Sequence, residues 1–218
     1  MKTLLLSLML IFFVGNLSAQ TTKGQITYKM EFSSDNPDMA MVLPMMQGST
    51  LKLYFAKDKS TAEMEMGSFM KMKSVMDAKL NKGIILTEVM GQKIANNVES
   101  ISDKFPAPKE SDKLIKTSET KKIIGFTCTK YVIKDKSGNG NDSTFWLTTE
   151  IKTSLVGQEQ FSNKVEGVPL EFSSIQNGMN VRFEATNFSK TFDPEIFSLK
   201  IPEGYQIKTV EEMEKLGS

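Results

Sequence analysis

The chain reads as a mainly β (α+β) protein: a single curved antiparallel sheet forming an unclosed barrel, with short helices covering its mouth. Three observations predict this. Runs of period-two alternation recur along the chain, about ten in all, each bounded by Gly, Pro, Asn or Asp. Helix signals are confined to a few short segments. The only cysteine, Cys128, provides no disulfide framework, so the fold rests on its core. A lone antiparallel sheet must then cover its apolar face by closing on itself or by packing helices on it.

The N-terminus is read separately from the fold. Lys2 precedes a largely apolar run from Leu4 to Val14, and Leu17-Ser18-Ala19 follows. This is the layout of a secretory signal peptide cleaved after Ala19. The run is short of the roughly 20 residues that span a bilayer. No cysteine stands at or just after the cleavage point to carry a lipid anchor. The expected organisation is residues 1–19 as signal peptide and 20–218 as one domain, periplasmic or secreted and not integral to the membrane.

The first strand lies in "GQITYKMEFS", where Ile26, Tyr28, Met30 and Phe32 alternate with polar residues. Next, Asp35 or Asn36 caps a short helix with Pro37 in its first turn, Pro44 interrupts it, and Gly48 ends the segment. Leu51, Leu53 and Phe55 share one face of a second strand. Two further strands flank a tight turn at Met90-Gly91-Gln92. "DKFPAPKESDK" is a polar linker within the same domain. "KKIIGFTCTKYVIKD" reads as one strand, with Ile124, Phe126, Cys128 and Val132 on a common face. A Gly/Asn loop leads to "STFWLTTEI", and Asn177-Gly178 is a two-residue hairpin signal between the last long strands. A short helical turn near Pro194 and an extended piece follow; Thr209 and Glu212 are spaced as a capping box.

Composition narrows the chemistry. The chain has no histidine, which removes Ser-His-Asp and Cys-His catalysis and the commonest ligand of zinc, copper and non-haem iron. Without Lys2 the acidic and basic residues balance at 26 each, which argues against nucleic acid and against docking to an acidic membrane. No nucleophile has an evident activating partner, and Cys128 reads as a buried, inert thiol. No enzymatic activity and no cofactor are expected. Asp135, Ser137, Asn139 and Gly140 match the start of a calcium loop, but Trp146 stands where the bidentate Glu belongs.

The methionines are the most unusual feature. Met64, Met66, Met70, Met72 and Met76 all fall on even positions. On a helix they would scatter around the axis; on extended chain they face one side. Ordinary core, an adaptable ligand-facing wall and a Cu(I) site are the competing readings. Lys71 and Lys73, and the roughly 7 Å spacing of same-face neighbours along a strand, count against the metal. The upstream segment with Met39, Met41, Leu43, Met45 and Met46 is the candidate lid over that wall.

Four stretches carry a family resemblance. They are Ile124-Gly125-Phe126-x-Cys128-x-Lys130-Tyr131, Phe145-Trp146, "VPLEFS", and Phe197 through Ile201, Pro202, Gly204 and Tyr205. In this order they resemble a family of uncharacterised exported bacterial proteins with a domain of unknown function, related to the periplasmic lipoprotein carriers of the LolA and LolB type. The resemblance implies an unclosed, strongly curved barrel whose cavity takes acyl chains. In those carriers an arginine helps hold the lid. The only arginine here, Arg182, sits between Val181 and Phe183 on a strand and so points to the opposite face from them. The expected function is an exported, non-enzymatic binding protein for a lipid or other apolar small molecule. The alternatives are a structural or interaction module that binds an envelope protein, and Cu(I) handling.

Overall fold

A computed structural model describes residues 20–101, 114–134, 143–153, 167–176, 179–209 and 212. The expected signal sequence, the polar linker, the calcium-like loop and the expected Asn177-Gly178 turn lie outside these residues.

One twelve-stranded sheet organises the chain. In order of sequence the strands are β1 (Lys23–Ser33), β2 (Thr50–Ala56), β3 (Lys59–Met66), β4 (Met70–Asp77), β5 (Lys82–Val89), β6 (Gln92–Val98), β7 (Leu114–Ile123), β8 (Phe126–Ile133), β9 (Ser143–Thr148), β10 (Val168–Gln176), β11 (Met179–Ser189) and β12 (Gln206–Ile207). In space they run β12-β6-β5-β4-β3-β2-β1-β11-β10-β9-β8-β7. Neighbours pair antiparallel, except that β12 adds parallel to β6. The two end strands, β12 and β7, do not pair with each other among the described residues, so the sheet is unclosed.

The sheet is strongly curled. Phe126 of β8 and Phe188 of β11 meet edge-to-face with ring centroids 5.0 Å apart. Two strands, β9 and β10, lie between them, and a flat sheet would separate them by roughly 14 Å. Bulges supply part of the bend: the register slips between Thr27 and Tyr28 against β11, and between Pro169 and Glu171 against β9. Pro169, which has no N–H to donate, sits at one of them. The curl encloses a core of Ile26, Tyr28, Phe55, Cys128, Val168 and Leu170. Tyr28 is fully buried, and its hydroxyl donates to the Pro169 carbonyl at 2.8 Å.

The helical cover expected from sequence takes another form. Asn36 caps the segment by accepting from the Asp38 N–H, but the chain forms two 3-10 turns, Pro37–Met41 and Leu43–Met46. Pro44, without an N–H and crowding the preceding turn, keeps them from merging into one helix. The expected turn near Pro194 is a third 3-10 segment, Pro194–Phe197, capped by Asp193.

"KKIIGFTCTKYVIKD" is also two strands rather than one. Ile124 (φ 44°) and Gly125 (φ 91°) form the turn between β7 and β8. Ile124 belongs to the turn, yet it still packs with Phe126 and Cys128 in one core cluster, while Tyr131 joins a second cluster with Phe145 and Leu147.

The C-terminal segment crosses the second face of β2–β6 as a strap. Leu199, Ile201 and Tyr205 pack on Val75, Ile84, Leu86 and Ala95. Phe192 meets Tyr54 and Phe197 edge-to-face, and Thr61 Oγ1 donates to the Ile196 carbonyl at 3.0 Å. The Asn96 side-chain amide donates to the Lys208 carbonyl, holding the end of the strap at the β6 edge. The capping box is present beyond it: Thr209 N–H donates to Glu212 Oε2 at 2.7 Å, and Glu212 N–H to Thr209 Oγ1 at 3.2 Å.

Candidate ligand-binding face

The methionine stripe lies on the β3–β4 hairpin. Met64 pairs with Met72, Met66 with Met70, and Ser60 with Met76. Because directly opposed residues share a face, all five methionines project from the same side. The intervening residues point the other way and form cross-strand ion pairs, Glu63–Lys73 at 3.2 Å and Glu65–Lys71 at 3.6 Å.

The same registers extend this face in both directions. Leu51 and Leu53 of β2 lie opposite Met64 and Ala62. Beyond them come Tyr28 and Ile26 of β1. On the other side, Val89, Thr87 and Ile85 of β5 oppose Met70, Met72 and Ser74. Met64, Met66, Met70 and Met72 are half-buried, whereas Met76 is buried with Val98 and Ile101. Gly83 stands opposite Met76 for a steric reason: a Cβ there would lie 2.3 Å from the Met76 sulfur.

The apolar segment rests on one end of this face. Ser49, buried, is its anchor: its hydroxyl donates to the Met46 carbonyl at 2.6 Å and accepts the Gly67 N–H at 3.0 Å. Gly67 (φ 52°) lies so close that a Cβ would sit 1.7 Å from the Met45 carbonyl oxygen. Met46 and Leu43 line a cleft of about 360 Å³ with Met30, Phe32 and Pro44. Met46 is buried and Met39 half-buried. Met41 and Met45 are 85% and 54% exposed, so they face solvent and not the sheet. The structure therefore brings Leu43 and Met46 to the sheet and leaves two of the expected lid residues outside.

The other titratable groups have structural explanations. Burial pushes the Cys128 thiol up to about 11, more than the Lys121 charge lowers it. Such a thiol stays protonated and unreactive at neutral pH. Arg182 lies on the charged face, paired with Glu31 at 3.2 Å and with Glu171 and Glu184 at 3.3 Å each. Burial raises Glu171, but Lys121 and Arg182 together outweigh it and hold the carboxyl below its ordinary range. Among the described residues no three His, Cys, Asp or Glu side chains are grouped to hold a metal, and no helix is long and apolar enough to cross a membrane.

A second concavity escaped the sequence reading. A groove of about 390 Å³ runs between the strap and the charged face, bordered by Lys52, Glu63, Lys73, Glu88, Lys200 and Tyr205. Tyr205 donates its hydroxyl to Glu88 at 2.6 Å. That bond holds the Glu88 carboxyl below its usual value, while burial and then Glu88 push the phenol up to about 12. The available signal was the alternation of Phe197, Leu199 and Ile201, which marks a strap with one face inward.

Residues 36–205 match the model of the family described as "Domain of unknown function (DUF4412)". The chain belongs to this family. No curated protein matches it. Among solved structures, it is similar to PNGF-II in a P21 crystal form, at 20% identity with a TM-score of 0.49 over 90% of this chain and 33% of that one. PNGF-II in a C2 form gives 19% identity and a TM-score of 0.48 over 89% and 32%. LprF from Mycobacterium bovis gives 10% identity and a TM-score of 0.27 over 87% and 91%. The chain spans about a third of the PNGF-II chains it matches.

Proposed function

We propose that this DUF4412 protein is an exported, non-enzymatic carrier that holds a lipid, an acyl chain or another apolar small molecule against its thioether face. One observation carries the reading. Leu51, Leu53, Met64, Met66, Met70 and Met72 form a contiguous apolar face, and each of the six is only half-buried. A completed core would bury them. Met suits a wall that receives ligands of varied shape, because it is unbranched and polarizable. Each chain methylene removed from water contributes roughly 0.8 kcal/mol, so a long acyl chain binds without any charged anchor. The sequence resemblance to LolA- and LolB-type carriers supports the same ligand class, and the signal-like pattern of residues 1–19 supports export.

Native mass spectrometry of the purified protein tests the proposal, together with displacement of a fluorescent fatty acid. The expected result is a retained lipid adduct and competitive displacement by unlabelled fatty acid. Protein that is always empty and never takes up the probe would overturn it.

A further inference from the structure

We infer that the β3–β4 hairpin carries a Cu(I) site made of four thioethers, Met64, Met66, Met70 and Met72. The pairing makes a two-by-two array: Met64 opposite Met72, Met66 opposite Met70. Directly opposed residues hold their Cβ atoms about 4.5–5.5 Å apart, and same-face neighbours on one strand are about 7 Å apart. The centre of the array therefore lies roughly 4 Å from each Cβ in the plane of the sheet. A flexible Cβ–Cγ–Sδ arm and one metal–sulfur bond together span that distance. A single strand spreads its sulfurs along a line; the hairpin brings two such lines face to face.

The charge objection also falls. Lys71 and Lys73 project from the opposite face, where Glu65 and Glu63 bind them. By register the four methionines share their face with Leu51, Thr87 and Val89. Four neutral, soft donors in half-buried apolar surroundings suit a soft monovalent ion. They do not suit the ions that prefer imidazole or carboxylate. The site does not depend on the carrier reading, although both use the same face.

A competition titration with a chromophoric Cu(I) chelator under reducing conditions tests the site on the purified protein. The expected result is one Cu(I) per chain. The Met70→Leu/Met72→Leu variant should bind at least tenfold more weakly, and the Met64→Leu/Met66→Leu/Met70→Leu/Met72→Leu variant should not bind. Leucine keeps the apolar volume, so circular dichroism and thermal unfolding of the variants should match the wild type's. Ag(I), as a second soft probe, should shift the ε-methyl resonances of these four methionines and no others. Cys128→Ala should leave the affinity unchanged. No competition by the wild type, full affinity in the four-leucine variant, or loss of binding with Cys128 would overturn the inference.

Discussion

Gly67→Ala tests whether the apolar segment is seated on the hairpin that carries the methionines. At Gly67 the backbone φ is 52°, and an added Cβ would fall 1.7 Å from the Met45 carbonyl oxygen and 2.9 Å from its carbon. A carbon–oxygen contact needs roughly 3.3 Å, so either the 3-10 turn Leu43–Met46 or the hairpin must retreat by about 1.5 Å. Left-handed backbone costs an L residue about 1–2 kcal/mol, and forced overpacking about 1–3 kcal/mol more. Retreat also breaks the chain from Gly67 N–H through Ser49 Oγ to the Met46 carbonyl, at about 1 kcal/mol. At about 2–4 °C per kcal/mol for a domain of this size, the melting temperature should fall by about 6–24 °C. Gly48→Ala and Gly91→Ala are the controls. Both positions have positive φ, 76° and 81°, but nothing lies within 4 Å of an added Cβ. They should lose only the backbone part, about 5 °C. The entropic gain from replacing glycine is common to all three variants. A Gly67→Ala variant no less stable than the two controls in thermal unfolding would refute the seating.

Three further outcomes follow from the core and the charged face. Tyr28→Phe leaves the Pro169 carbonyl without its donor and should cost about 1–3 kcal/mol in urea unfolding; no loss would mean that this bond does not tie β1 to β10. Arg182→Ala should cost about 1 kcal/mol or less, because its partners are partly exposed, and the loss should shrink in about 1 M salt. In alkali, Cys128 is pushed up to about 11, and Tyr54 and Tyr205 each to about 12, first by burial. Folded values above the unfolded ones mean stability that is full below about pH 9 and declines as pH rises toward 12. Denaturant midpoints that stay level up to pH 12 would contradict these shifts.

Most of the local order was legible because strands with one polar side write their period into the sequence. Ile26, Tyr28 and Met30 are buried in β1 as their alternation requires, and the even-numbered methionines share a face across a hairpin. The Met90-Gly91 turn and the Thr209–Glu212 capping box were readable from turn and cap chemistry. The β7–β8 turn was missed because Ile124 is a β-branched residue at positive φ, where propensity argues against a turn. The strap was missed because which sheet face a segment covers is a tertiary fact: nothing near Phe192 names Tyr54 as its partner. The two-by-two array of methionines was hidden for the same reason, since spacing along one strand omits the opposing strand.

The central claim is that an apolar molecule lies against the thioether face. Intermolecular NOEs between a long-chain fatty acid and ε-methyl-labelled methionines test it most directly. The account predicts contacts to Met64, Met66, Met70 and Met72, and none to Met90, which is 89% exposed on the β5–β6 turn. Contacts confined to Met90 and Met41, or no contacts at saturating fatty acid, would contradict it.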